Sequence, residues 1–374
     1  MMRAAFRSWK DWRLSANVRA CISALHHLVW EIVDNSIDEA LNGYGDEITN
    51  TLEADGSVTV EDHGRGMPVG MHASGMPTLQ VIFTVLHAGG KFTSEGGYRT
   101  SGGLHGVGAS VVNALSSWLK VSVCDGRDVY EMEFAQGGKQ VGKLKKTGKC
   151  SQSGSKVRFL PDPSIFSATR FSYSSICERA QEDAFLLKGL KMTVNDLREG
   201  HERHEEYHYE NGLEAFIDYL HEDKHVFHQP VSFSGTASEI RVECAFQYTD
   251  EYQENIFSFV NMVRTKDGGT HESGARTAFP KVFNDFARRN GLLKEKDKNF
   301  EGSDVREGLT LVLSCSIPEH LLQFEGQTKS KLGTSEAKSA VDAIVSEKLN
   351  FFLEENKETA FALVRKMIKA SSAR

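Results

Sequence analysis

Apolar positions recur at helical spacing through 25–41, LHHLVWEIVDNSIDEAL, where Leu25, Leu28, Val29, Ile32, Ser36 and Ala40 form one packing face. The other side is polar. His27, Glu31 and Asn35 follow at four-residue intervals with Asp38 one turn further on, so an imidazole, a carboxylate and an amide share a surface. Such a surface either holds a metal and aims a water or is simply solvated. Next, DEITNTLEADGSVTVEDHGRGMP predicts two strands joined by a turn at Asp55 and Gly56. Val58, Val60 and Asp62 then share a face that the valines mark as buried, and a carboxylate there needs a donor. The stretch 77–86 predicts a helix with proline in its first turn. After it come eight glycines from Gly89 to Gly108, a loop, before Val107, Val111, Val112 and Leu115 restart a helix.

The segments LKVSVC, VYEMEF and SKVRFL predict antiparallel strands, followed by a helix over 174–187 and a strand over 190–196. REGHERHEEYHYENG looks like a connector, in which His201, His204 and His208 are either metal ligands or part of a solvated hairpin. A second half starts near Gly212 with a short helix. It continues with strands near Val231, over 240–248 and over 256–265, a helix over 274–290 and a strand over 309–315. A helical run over 335–370 closes the chain, with Ala337, Val341, Ile344, Val345 and Leu349 keeping the period. No internal repeat is evident.

Composition narrows the class. At 374 residues the chain is too long for one typical core, so two domains are expected. Charged residues at 25% and hydrophobic ones at 40% are ordinary for a globular protein. A net charge of −7 argues against a surface coated with phosphate contacts. Local basic patches remain open, since 264–306 carries ten Lys or Arg against seven Asp or Glu. No apolar run reaches the length of a membrane span, and the basic opening lacks the apolar core of a secretion signal, so a cytoplasmic location is expected. The six cysteines are scattered without a C-x-x-C pair, which predicts reduced thiols and neither a zinc site nor a disulfide framework.

Two loops carry candidate chemistry. Gly103-Leu104-His105-Gly106-Val107-Gly108 spells G-x-x-G-x-G, which is not the dinucleotide fingerprint, and the Gly90-Lys91 pair is followed by Phe92, so no Walker motif is present. What remains is a row of backbone amides feeding a helix N-terminus, suited to phosphate oxygens. The second loop, Gln327-Thr328-Lys329-Ser330-Lys331, precedes the closing helix.

Seven stretches together identify a family: EIVDNSIDEA at 31–40, EDHGRGMP at 61–68, HAGGKF at 87–92, SGGLHGVGASVVNALS at 101–116, VRTKDGGTHESG at 263–274, LLKEKDKNFEGSDVREGL at 292–309 and QFEGQTKSKLG at 323–333. From about Leu25 onward the chain resembles the ATPase half of the B subunit of bacterial type IIA DNA topoisomerases, and its details are more similar to topoisomerase IV than to gyrase. The fold this implies is α+β: a split, Bergerat-type ATP-binding α/β sandwich followed by a βαβ transducer domain with a long C-terminal helix. The implied domains are an atypical arm over 1–24, an ATP-binding domain over 25–211 and a transducer over 212–374. The ATP fold alone is shared with chaperones and mismatch-repair clamps, but HAGGKF and QTK are similar only to the topoisomerases.

The resemblance also implies roles. Glu31 is the general base that activates water, with His27 supporting it. Asn35 holds the magnesium that bridges the phosphates of ATP. Asp62 accepts the adenine amino group, Gly66 lets the base approach, and Arg65 stands beside it. Lys91, Tyr98 and the amides of Gly103, Leu104, His105, Gly106, Val107, Gly108 and Ala109 form a lid over the phosphates. Ser155 stands where the family more often has threonine. Lys329 meets the γ-phosphate with Gln327 alongside, and loss of that tie on hydrolysis lets the domains rotate. Implied partners are the topoisomerase A subunit, DNA through backbone contacts, and a second B subunit in an ATP-dependent dimer at the bacterial nucleoid. Alternatives are a gyrase B subunit, or a fragment that binds ATP without turnover. Two features depart from the family. NVRACISA replaces the usual arginine-rich arm and its turn, with no tyrosine before Tyr44, and the chain ends without the acidic metal-binding domain used for DNA cleavage.

Overall fold

The computed structural model describes residues 22–86, 106–326 and 329–373. They form two compact units, one of 22–86, 106–181 and Leu190–Tyr207, the other of Glu182–Gly189 and 208–373.

In the first unit, helix α1 (Ile22–Leu41) buries Leu25, Leu28, Val29, Ile32 and Ser36 of the predicted face, adds Val33 and Ile37 to it, and leaves Ala40 half-buried. Strands β1 (Glu47–Leu52) and β2 (Val58–Asp62) pair antiparallel across the expected turn. Helices α2 (Thr78–Thr84) and α3 (Gly108–Ala114) pack on each other, and α3 also packs on α1. Strands β3 (Ser116–Cys124), β4 (Asp128–Ala135) and β7 (Gly154–Pro161) are the three antiparallel segments read from the sequence. Two short polar strands, β5 (Gln140–Val141) and β6 (Lys145–Lys149), are added on β4. Helix α4 (Tyr173–Leu186), of which the residues from Glu182 on count with the second unit, leads to β8 (Lys191–Asp196), which lies parallel to β1. The nine-stranded sheet runs β5-β4-β3-β7-β2-β1-β8, with β6 beside β4 and β9 (Arg203–His208) at the far edge.

That last strand corrects the connector expected there. Its residues are almost all exposed, and a strand with no buried face has no alternating signal to find. His204 hydrogen-bonds Asn195 at 2.7 Å and His208 contacts Glu210 at 3.0 Å, so these histidines serve the sheet edge, and among the described residues no group of three His, Cys, Asp or Glu forms a metal cluster. The expectation of reduced thiols is also corrected. Cys124, at the end of β3, is bonded to Cys150 just past β6, with the Cα atoms 6.2 Å apart. The strands bring together two cysteines 26 residues apart, which spacing alone does not reveal. Cys177, Cys244 and Cys315 are buried thiols, and Cys21 lies outside the described residues.

The second unit is a five-stranded sheet with helices on both faces. Helix α5 (Leu213–Leu220) covers one face, where Phe216 meets Phe257 and Phe259. Strands β10 (Val231–Ala237), β11 (Ile240–Tyr248), β14 (Leu309–Ser316), β12 (Asn255–Val260) and β13 (Val263–Arg264) follow in that spatial order. The long α6 (Thr270–Arg289) and the short α7 (Gly302–Arg306) connect β13 to β14. Since β12 and β14 are parallel neighbours, the stretch is the expected βαβ unit. On the other face Phe279 and Phe283 of α6 meet Phe246 and Tyr248. Covered on both sides, β14 is buried at every position but the last, Ser316, and takes Thr310 and Ser314 into the interior with its apolar residues.

Two elements differ from the pattern. The single strand expected over 256–265 is broken by a tight turn at Asn261 and Met262, both at positive φ. The long closing helix is two helices, α8 (Ser335–Glu355) and α9 (Lys357–Ala373), divided at Asn356. Asn356 leaves helical geometry, with ψ at 56°, and its side chain caps the carbonyl of Phe352 at 3.0 Å. A hydrophobic period continues across such a break because both helices bury the same stripe.

Candidate functional site

The first-unit site is built on α1. His27 and Glu31 are exposed and Asn35 is half-buried on the side away from the core, whereas Asp38 is buried. Asn35 Nδ2 donates to the carbonyl of Glu31 at 2.7 Å, which turns the carboxamide oxygen the other way. A hard oxygen so oriented suits a hydrated magnesium, which takes one or two protein oxygens and completes its shell from phosphate and water.

Glu31 reaches the start of α3. A Cβ built at Gly108 would collide with Glu31 Oε2 and lie 3.2 Å from its carboxyl carbon. Glycine at 108 therefore leaves the Glu31 carboxylate its present place against the start of α3, which any side chain there would force it to give up. Gly106 takes a positive φ of 56° just before it, and Val107 caps the helix, with its carbonyl receiving Ser110 Oγ at 2.9 Å. Ala109 follows in the first turn.

Asp62, at the end of β2, is 9% exposed, and both its oxygens accept. Oδ2 takes the hydroxyl of Ser36 at 2.9 Å, and Oδ1 takes the amide of Gly64 at 2.9 Å. These are the donors its buried position demanded. Desolvation pushes the Asp62 carboxyl above its ordinary value, against the opposing pull of the Gly64, Ser36 and Ser155 hydrogen bonds. Ser155 is buried directly across the ladder from Asp62. Gly66, at φ +78°, has no room for a side chain, since a Cβ would lie 2.9 Å from Cys124 O and 3.1 Å from Val123. Backbone therefore lines the wall next to Asp62.

Arg65 is committed elsewhere. Its Nε and Nη2 bind the Glu39 carboxylate at 3.0 and 2.9 Å, and its guanidinium lies 3.9 Å from the Tyr44 ring centre. Its place is at the rim, holding the turn 63–66 onto α1. Sequence reasoning missed Glu39, and also Ser36, which the helical pattern assigns to the packing face. The demand of Asp62 for a donor was the signal that could have found Ser36.

In the second unit, Lys329 lies in a loop at φ +54°, between the hydrogen bonds Glu325 N to Lys331 O at 2.8 Å and Asp267 N to Ser330 O at 2.8 Å. Lys91, Tyr98, Gly103, Leu104, His105 and Gln327 lie outside the described residues. The first unit alone brings together Glu31, Asn35, Asp62, Gly66, Gly106, Val107, Gly108, Ala109 and Ser155. A buried acceptor beside a glycine wall can read an amino group on a flat base. An exposed carboxylate against a glycine-led helix can orient water at a phosphate.

Comparison with known proteins settles the family. The model described as histidine kinase-, DNA gyrase B-, and HSP90-like ATPase matches residues 21–163, and that described as DNA gyrase B matches 212–374. The structure also superposes on the 43K ATPase domain of Thermus thermophilus gyrase B, solved in complex with an aminocoumarin, with a TM-score of 0.80 at 38% identity, covering 94% of this chain and 91% of that one. The chain belongs to the type IIA DNA topoisomerase B-subunit family, within its ATPase portion.

Membership in this family carries ATP binding with it. The B subunit of DNA topoisomerase 4 from Staphylococcus aureus is 61% identical over 351 residues, 94% of this chain and 53% of that protein. The chain thus spans about half the length of the curated relatives it matches. The ATP-binding domain of Francisella tularensis topoisomerase IV, solved with a small-molecule inhibitor, gives a TM-score of 0.78 at 29% identity over 93% of this chain and 92% of that one. No described helix is long and apolar enough to cross a membrane.

Proposed function

We propose that the chain is the ATP-hydrolysing clamp of a type II DNA topoisomerase, working with an A subunit to pass one DNA segment through another. The observation that carries this reading is the first-unit site: Glu31 held against Gly108, where a glycine-rich segment ends and α3 begins, with Asp62 buried beside a backbone wall. The identity of 61% to a topoisomerase 4 subunit supports decatenation and relaxation as the activity.

In the proposed mechanism Asp62 takes the adenine amino group and Gly66 leaves space for the ring. Glu31, with His27 one turn before it, holds and deprotonates the attacking water as it approaches the γ-phosphorus. Asn35 Oδ1 would hold magnesium, which neutralises phosphate charge when bound. The amides of Gly106 to Ala109 donate to phosphate oxygens, with Ser155 beside Asp62. Arg65 keeps the turn at the base in place through Glu39. In the second unit, Lys329 stabilises charge on the γ-phosphate and loses that partner on hydrolysis, which releases the transducer. Residues 25–211 and 212–374 are the working domains of this cycle. ATP-driven dimerisation and backbone-only DNA contact in the cytoplasm complete the reading.

Glu31→Ala tests it. ATP should still bind while turnover falls about 10²- to 10⁴-fold, the usual contribution of a positioned general base. Normal hydrolysis by this variant would remove Glu31 from the mechanism. Decatenation on adding a topoisomerase A subunit to the full-length B protein checks the wider activity.

A further inference from the structure

The second unit contains a buried polar cluster that the mechanism above leaves unused. It lies behind the loop of Lys329, and hydrogen bonds connect the two. Asp267 N donates to Ser330 O at 2.8 Å, Leu332 N to Gly268 O at 3.0 Å and Thr270 N to Leu332 O at 3.1 Å. Thr270 Oγ1 adds a bond to Thr334 O at 2.5 Å. Gly269 lies so close to the loop that a Cβ would come within 2.5 Å of Leu332 N and O. The turn 265–270 and the segment 330–334 are thus one hydrogen-bonded body, with Lys329 at its edge.

Side chains fix that turn from behind. Thr265 Oγ1 donates to Ser258 O at 2.9 Å and lies 2.7 Å from Ser258 Oγ and 3.0 Å from His271 Nε2. His271 has no exposed surface, and its Nδ1 has no hydrogen-bond partner among the described residues. Burial lowers its pKa to about 4, so the ring is neutral at working pH. A neutral ring donating from Nε2 matches a hydroxyl whose own proton goes to Ser258 O. Next to it, Glu272 receives Arg276 Nε at 2.9 Å and Ser258 Oγ at 3.3 Å.

We propose that Thr265, clamped between Ser258 and His271, is a positioning residue for Lys329: it sets the turn 265–270, and the turn sets the loop that presents the ammonium group. The proposal rests on the role of Lys329 given above. Its chemistry is specific to the hydroxyl. Replacing Thr265 with the isosteric valine leaves the Nε2–H of His271 and the carbonyl of Ser258 buried without this partner, whereas serine keeps both bonds.

The test is steady-state ATP hydrolysis by the full chain carrying Thr265→Val, Thr265→Ser, Lys329→Ala or Thr265→Val with Lys329→Ala. Thr265→Val should lower kcat about tenfold with KM within about twofold of the parent, the mark of an interaction lost in the transition state and not on binding. Thr265→Ser should restore the rate. In the Lys329→Ala background Thr265→Val should change nothing further, because its effect passes through the missing lysine. If Lys329→Ala is impaired but Thr265→Val is normal or fully additive with it, the positioning role is overturned and that of Lys329 stands. Full turnover by Lys329→Ala overturns both. Should Thr265→Val lose its native circular dichroism, Thr270→Val, which deletes the bond to Thr334, replaces it in the same cycle, with non-additivity expected and additivity refuting.

Discussion

Asp62→Asn separates base recognition from folding. In the parent, Oδ1 and Oδ2 each accept one hydrogen bond, from Gly64 N and Ser36 Oγ. The amide variant keeps one acceptor and turns an NH2 group toward a donor, so an adenine amino group meets an occupied oxygen or a second donor. A hydrogen bond to a charged group contributes about 1.5–3 kcal/mol, which puts the loss at about ten- to hundredfold in Kd. The folded protein responds in the opposite sense. Burial raises the Asp62 carboxyl, so the folded state binds its proton more tightly than the unfolded one. The ionised group then opposes folding above that raised value, and the penalty fades as pH falls toward the unfolded value. Asparagine carries no such penalty. The expected outcome is weak binding of a non-hydrolysable ATP analogue by titration calorimetry, with a melting temperature at neutral pH no lower than the parent's and a difference that narrows in acid. Parental affinity would refute the role in base recognition. A large fall in melting temperature would refute the electrostatic reasoning.

Three other outcomes follow from the geometry. Gly108→Ala drives a methyl group into the Glu31 carboxylate, so turnover should fall by about 10²-fold with ATP affinity changed far less; equal losses in both would contradict the placement. His271, whose pKa burial lowers to about 4 in the folded protein, takes its proton near 6.5 when unfolded, so stability should decline by about 3 kcal/mol as pH drops from 6.5 to 4, and His271→Gln should flatten that part of the urea-unfolding profile. Reducing the Cys124–Cys150 bond should lower stability by about 3.5 kcal/mol, from the entropy of a 26-residue closure, and dithiothreitol should leave the melting temperature of Cys150→Ser unchanged.

The sequence by itself determined the elements whose pattern is strong and local. The apolar stripe of α1, the alternation in β2 and β7 and the glycine-led restart at α3 all follow from residues within a few positions of one another. Glu31, Asn35 and Asp62 stood out as candidates from helical and strand spacing, while the roles proposed for them came from the resemblance of the surrounding motifs. What only the tertiary structure decided involves partners far apart in the chain. Ser36 reaches Asp62 across 26 residues, Arg65 turns to Glu39, and Cys124 meets Cys150 because strand pairing brings their backbones together. The exposed edge strand β9 and the break at Asn356 were hidden for a different reason. An edge without a buried face leaves no period, and a stripe shared by two helices conceals the joint between them. Thr265 and His271 show the same limit. Six residues apart, on a turn and a helix, they meet at 3.0 Å because the glycine turn at Gly268 and Gly269 folds one onto the other.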